Sequence, residues 1–205
     1  MSTKKRNMLA IAGTLVLLSG CISPSVNPLY TDNDLVFDPL LVGVWVEDST
    51  QPTDENWTFE KGPGKSYKLT ITGDHEEKGE FEAHLLKLKD YFFLDLKPSQ
   101  VKLDPTQVDV TDWALIRGHL ILRVYELDSK LKVGSIVAGF DPGSDWLNEY
   151  LRKNPNALAH VNEGDRVKFI TASTQDLQQF VLAHLGKNEL FEEPGVAVRR
   201  PAGAR

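Results

Sequence analysis

The residues able to do chemistry are few, and they are spread along the chain. The five histidines are His75, His84, His119, His160 and His184. His75-Glu76-Glu77 begins like the His-Glu-x-x-His zinc motif, but Gly79 stands where the second histidine belongs, so it reads as a polar turn. His84 shares a polar face with Glu80 and Glu82 and reads as solvated; His184 lies in an apolar stripe near a helix end, where a satisfied structural role is expected. No Gly-x-Ser-x-Gly, no helix-opening Ser-x-x-Lys, no phosphate-binding glycine loop and no Gly-x-Gly-x-x-Gly occurs. Asp32-Asn33-Asp34 lacks the glycine and glutamate of a calcium loop. Asp95 stands out because it interrupts the apolar run Tyr91–Leu96: such a carboxylate is paired, with Arg117 or Arg123 as the nearest candidates, or it points outward. No metal site and no cofactor is expected from these patterns.

The single cysteine, Cys21, excludes an internal disulfide framework and any cysteine-based metal cluster. Its surroundings are specific. Lys4, Lys5 and Arg6 form a basic start, Met8–Leu18 a short apolar stretch, and Ser19-Gly20 a small-residue approach to Cys21. The apolar stretch falls short of the roughly 20 residues needed to span a bilayer and reads as a secretory signal. Leu18-Ser19-Gly20-Cys21 resembles the lipobox of bacterial lipoproteins. That resemblance implies cleavage between Gly20 and Cys21, a thioether-linked diacylglycerol on the Cys21 sulfur, and acylation of its amine. Two or three acyl chains hold a protein firmly at a membrane. Ile22, rather than an aspartate, follows the cysteine, which by the same resemblance favours the outer membrane in a diderm bacterium.

The chain has 205 residues and a formal charge of -6; removing residues 1–20 leaves 20 basic against 29 acidic side chains, a net -9. Such a balance disfavours nucleic acid as a partner and mildly repels anionic lipid. The size suits one domain. The expected division is a signal peptide over 1–20, a lipidated tether over 21–39, one globular β-rich domain over 40–198, and a frayed tail over 199–205.

The elements that position these residues follow a period of two from Leu40 to Leu96. Val42, Val44 and Val46; Trp57 and Phe59; Tyr67, Leu69 and Ile71; and Phe81, Ala83 and Leu85 each alternate with polar or small residues. Turn signals at Gly62-Pro63-Gly64, Gly73-Asp74 and Lys89-Asp90 separate the runs. Tyr91–Leu96 is apolar on both sides and predicts a doubly covered strand. His119–Leu127 and Leu131–Val137 predict a hairpin turning at Asp128-Ser129, and Arg166–Thr171 a short strand. Trp146, Leu147, Tyr150 and Leu151 lie at helical spacing before Asn154-Pro155. Ser173–Leu185 is the clearest helix, with a capping-box-like Ser173 and Asp176 and a stripe of Leu177, Phe180, Val181, His184 and Leu185. The expected fold class is mainly β (α+β): an antiparallel meander or partly closed barrel with two helices in the C-terminal half.

Gly43-Val44-Trp45 is similar to the Gly-x-Trp signature of lipocalins and related calycin barrels, and Thr111-Asp112-Trp113 to their Thr-Asp-Tyr element. The resemblance implies an eight-stranded barrel, closed at one end by Trp45, that can hold an apolar ligand. The chain departs from the pattern in three ways: a helix near Trp146 interrupts the strands, no basic residue can be assigned to stack on Trp45, and the usual disulfides are absent.

Three functional readings follow. The first is a lipid-anchored, non-catalytic envelope domain that is structural or binds a partner protein. The second is a lipocalin-like carrier of a small apolar ligand or lipid, with Trp45, Trp57, Tyr67, Phe81 and Phe93 as candidate wall residues. The third is an envelope hydrolase without a recognisable motif. For the anchor itself, Cys21→Ser is expected to abolish palmitate labelling and to move the protein from the membrane to the soluble fraction; a variant that stays in the membrane would overturn it.

Overall fold

The alternating runs of the sequence become the staves of a barrel. In a computed structural model of the chain, residues 24–48, 55–73, 78–99, 118–136, 146–164, 166–186 and 190–200 are described. Cys21, Gly20, His75, Arg117 and the Thr111-Asp112-Trp113 element lie outside the described residues.

The first strands are β1 (Leu35–Val36), β2 (Gly43–Glu47), β3 (Asn56–Lys61), β4 (Ser66–Thr72), β5 (Lys78–Leu88) and β6 (Tyr91–Pro98). They are followed by β7 (Leu120–Leu127), β8 (Lys130–Ser135), helix α1 (Trp146–Lys153), β9 (His160–Glu163), β10 (Arg166–Ile170), helix α2 (Thr174–His184) and β11 (Gly195–Arg199). From β2 to β8 each strand pairs antiparallel with the next. β11 then returns between β8 and β2, with Ala197 opposite both Leu131 and Glu47. The result is a closed eight-stranded antiparallel barrel. β1 extends the sheet along the end of β5, beyond β4. β9 and β10 form a separate antiparallel hairpin. Closure removes the edges that an open meander would leave unpaired.

Two cores share the barrel wall. Inside it are Leu41, Trp45, Trp57, Phe59, Tyr67, Leu69, Phe81, Leu85, Leu94 and Leu122, among others. Outside it, the opposite faces of β5, β6 and β7 present Leu86, Leu88, Phe93 and Ile121 to α1, α2 and the β9–β10 hairpin. This explains why Tyr91–Leu96 is apolar on both sides: Leu94 and Leu96 face in, Phe93 faces out. The helices therefore do not interrupt the barrel. They belong to the excursion between β8 and β11, packed on its outer wall. Among the described residues no helix is long and apolar enough to cross a membrane.

The Gly43-Val44-Trp45 motif has a physical account. Trp45 is fully buried, and its indole N–H donates to the Leu41 carbonyl at 2.9 Å, in a 3-10 turn spanning Pro39–Leu41. The Arg199 guanidinium lies 4.7 Å from the ring centroid. It donates to the Val42 carbonyl at 3.0 Å and also to the Leu40 carbonyl. Gly43 has φ +140°, and a Cβ there would meet Arg199 Nη1 at 2.9 Å. Only glycine admits both the backbone angle and the arginine. Arg199 was expected to begin a frayed tail and no base was assignable to Trp45; it is instead the last residue of β11 and supplies that cation.

The segment read as a tether over 21–39 is docked from Pro24 onward, because Leu29 is fully buried and the backbone around it pairs with the body. Three strands, β1, β9 and β11, are not expected from the sequence.

Candidate functional site

The candidate wall residues do not form one set. Trp45, Trp57, Tyr67 and Phe81 lie inside the barrel, whereas Phe93 faces the outer core and packs 6.1 Å, centroid to centroid, from Phe191. Phe93 is thus a correction to the proposed inner wall. Its neighbours alternate, and a strand buried on both sides gives no sequence cue as to which face is which. The interior aromatics contact one another: Trp57 and Phe59 at 6.1 Å, Phe59 and Tyr67 edge-on at 6.3 Å, and Tyr67 stacked on Phe37 at 5.0 Å. The Tyr67 hydroxyl accepts from Asp38 N–H at 2.7 Å and donates to the Asp38 carbonyl at 3.1 Å. Its polar end is satisfied by the protein itself.

The most distinctive polar constellation lies on the outer wall. β6 carries Asp95 with no exposure to solvent. Its pairing is with His119, not with the expected arginines: Oδ1 lies 2.5 Å from His119 Nδ1. Oδ2 accepts the Leu29 N–H at 2.8 Å. The strand register sets this up, since Leu96 is opposite Leu120 and places His119 just beyond the end of β7. His119 exchanges backbone hydrogen bonds with Ser25 in both directions, at 2.7 and 2.9 Å. Ser25 bridges on its other side to Ile170 of β10. Pro24–Tyr30 is therefore a strap stitched between the barrel and the outer hairpin. Thr174 and Gln178 of α2 hold it further, donating to the Pro28 and Leu29 carbonyls at 2.8 Å each.

Tyr30 closes the strap over His84, with ring centroids 4.5 Å apart, and sets its edge toward His119 at 6.5 Å. Burial, with the Asp95, Glu82 and Asp32 carboxylates behind it, pushes the Tyr30 phenol up to about 12. His84, expected to be solvated, has a side chain only 12% exposed. Burial lowers its pKa despite Glu82 and Asp95 nearby. Burial also pushes the Asp34 carboxyl up, but hydrogen bonds from Thr31 and Gln178 outweigh it and hold the group below its usual value.

A carboxylate holding a histidine at Nδ1 is the orienting half of a catalytic triad. The other half is not assembled among the described residues. The neighbouring Ser25 hydroxyl donates to the Asn27 carbonyl at 2.6 Å, and the Tyr30 phenol is a poor nucleophile at neutral pH. The geometry is that of a buried pin. His184 likewise is held by structure, with Nδ1 2.8 Å from the Phe180 carbonyl and its ring among Trp146, Tyr150 and Phe180. Among the described residues no group of three or more His, Cys, Asp or Glu side chains is placed to hold a metal ion.

A second feature lies at the opposite end of β6 and β7. Arg123, freed from the pairing with Asp95 that its sequence position suggested, sits between two tyrosines, 5.2 Å from the Tyr91 ring and 4.5 Å from the Tyr125 ring. Lys87 lies 5.3 Å from the Phe92 ring. Five large hydrophobic side chains are exposed among the described residues: Leu40, Tyr91, Phe92, Tyr125 and Val161. Two of the five, Tyr91 and Tyr125, share the outer face with Arg123, whereas Phe92 pairs with Val124 and lies on the other face of the sheet. Sequence reasoning missed this patch; the usable signal was a Tyr beginning β6 and a Tyr two residues beyond Arg123.

No protein-family model, no curated protein and no solved structure matches the chain.

Asp95→Ala leaves the Leu29 N–H and the His119 imidazole without their acceptor. A loss of about 2–4 kcal/mol is expected in urea unfolding, with new protease cleavage within residues 24–34. Asp95→Asn, which keeps an acceptor, is expected to lose less. His84 sets a pH dependence. Because its folded pKa is lowered, the unfolded chain binds the proton first as pH falls below about 6.5, so stability is full above that value and declines below it. His84→Gln is expected to flatten that decline in thermal melts taken across the range.

Proposed function

We propose that this chain is a bacterial envelope lipoprotein, held at the membrane by a lipid on Cys21, whose barrel is a non-catalytic protein-interaction domain. The observation that carries the reading is the patch of Tyr91, Arg123 and Tyr125. Tyrosine and arginine dominate the energetics of protein interfaces, and here stacking fixes the arginine in advance of any partner. An exposed aromatic cluster in an otherwise polar surface marks an interaction site.

Two further observations support it over the alternatives. The barrel shape alone suits a carrier, but the interior is occupied by packed aromatics, and the polar ends of Trp45 and Tyr67 are already bonded. The Asp95–His119 pair is committed to the strap, which weighs against a hydrolase. In a diderm bacterium the outer membrane is the destination this reading favours, and nucleic acid is not a partner.

The test is site-specific photo-crosslinking in intact cells. Benzoylphenylalanine in place of Tyr125 or Tyr91 is expected to give the same discrete adduct, of one protein's added mass, and Arg123→Ala is expected to weaken it several-fold. A probe at Lys153 on α1 should give none. Absence of an adduct at both tyrosines would sink the interaction reading, and a small-molecule mass retained by the natively purified chain would favour a carrier in its place.

A further inference from the structure

We propose that the β9–β10 hairpin is the face of the domain that rests on the bilayer, through Val161 and Phe169. This rests on the lipid at Cys21 proposed above, and adds to it an orientation and a second, non-covalent contact with phospholipid.

Chain length carries the first step. Only Ile22 and Ser23 separate Cys21 from Pro24. A fully extended chain spans at most about 3.6 Å per residue, so Pro24 lies within about 11 Å of the Cys21 backbone. Pro24 is not free to swing away. Its carbonyl accepts the Ile170 N–H at 3.0 Å, Val26 N–H donates to the Ile170 carbonyl at 2.8 Å, and Ser25 is bonded to His119 on the other side. Gly118 packs so closely that a Cβ there would collide with the Pro24 ring. A lipid on Cys21 therefore brings this end of the body to the membrane.

Register identifies what this end presents. The bridge between Ser25 and Ile170 is parallel, which sets Pro24 alongside Phe169. Phe169 pairs across the hairpin with Val161, so the two share a face. An irregularity between Val167 and Phe169 lets Val167 and Ile170 both turn into the outer core, leaving Phe169 half-buried and Val161 48% exposed on the opposite side. This pair, exposed Val161 and half-buried Phe169, lies beside the point where the anchored chain enters the fold. With a net charge of -9 after cleavage, the domain gains nothing from anionic headgroups, so a contact through apolar side chains at the interface is the one its chemistry permits. The Tyr91–Arg123–Tyr125 patch lies toward the other end of β7, about 20 Å from His119 at roughly 3.3 Å per residue.

The experiment uses the lipidated full chain, reconstituted in phosphatidylethanolamine–phosphatidylglycerol vesicles. Since Cys21 carries lipid on its sulfur, a cysteine introduced at Val161, Phe169 or Ser129 is the only free thiol and takes a nitrobenzoxadiazole label. Ser129, exposed in the β7–β8 turn, is the distal control. Val161 is the deciding position because its exposure tolerates replacement. The expected result is a blue shift at Val161→Cys and Phe169→Cys, and quenching by nitroxide lipids several-fold stronger than at Ser129→Cys. Equal, weak quenching at Val161 and Ser129, with the lipid on Cys21 confirmed by mass, would overturn the contact while leaving the anchor standing. A Cys21 mass without lipid would overturn the anchor and the contact together.

Discussion

A carboxylate with no access to water must find its donors within the protein, and Asp95 finds them on two stretches of chain that the barrel alone would not hold. One oxygen meets His119, just beyond the end of β7, and the other meets the backbone of Leu29. Removing a charge from water costs several kcal/mol, so the arrangement persists only while both donors are in place. The strap, the entry to β7 and the outer face of β6 are thus fixed by one side chain. Tyr30, His84 and the α2 contacts gather around that pin, and the burial this imposes raises the Tyr30 phenol and lowers the His84 imidazole.

The same strands serve two interiors. β5, β6 and β7 put one set of side chains into the barrel and the other under the helices, and Asp95 belongs to the second set. The barrel is therefore a wall as much as a container. Its inside is held by contacts between aromatic rings, with Trp45, the Pro39–Leu41 turn and Arg199 packed together where β2 begins. Its outside carries the features that differ from one end to the other: the strap and the β9–β10 hairpin at one end of β6, and the tyrosine–arginine patch at the other.

Much of this was legible from residues alone, and the boundary of legibility is physical. A strand buried on one face alternates, so β3, β4 and the first half of β5 could be read directly, and Ser173 with the stripe behind it announced α2. β11 could not be read, because among Gly195–Arg199 only Ala197 is buried and no pattern distinguishes the segment from a loop. β9 is similar: its most apolar residue, Val161, faces out. Asp95 was visible as an anomaly, but its partner was not. Coulombic reasoning pointed to arginine, while the register placed a histidine there. Phe93 was misplaced because apolar residues on both faces erase the parity that would have assigned it.

The return of β11 between β8 and β2 has a consequence for how the molecule comes into being. Ala197 lies opposite Glu47, so the closing pairs join residues separated by most of the described sequence. A chain delivered from its N-terminus exposes β2 and β8 as two open edges until β11 arrives. Loop closure over such distances slows folding, and the waiting edges invite pairing with other chains. The barrel is thus a structure that closes only once β11 is available, and its most hazardous moment is the interval between the completion of β8 and the arrival of β11.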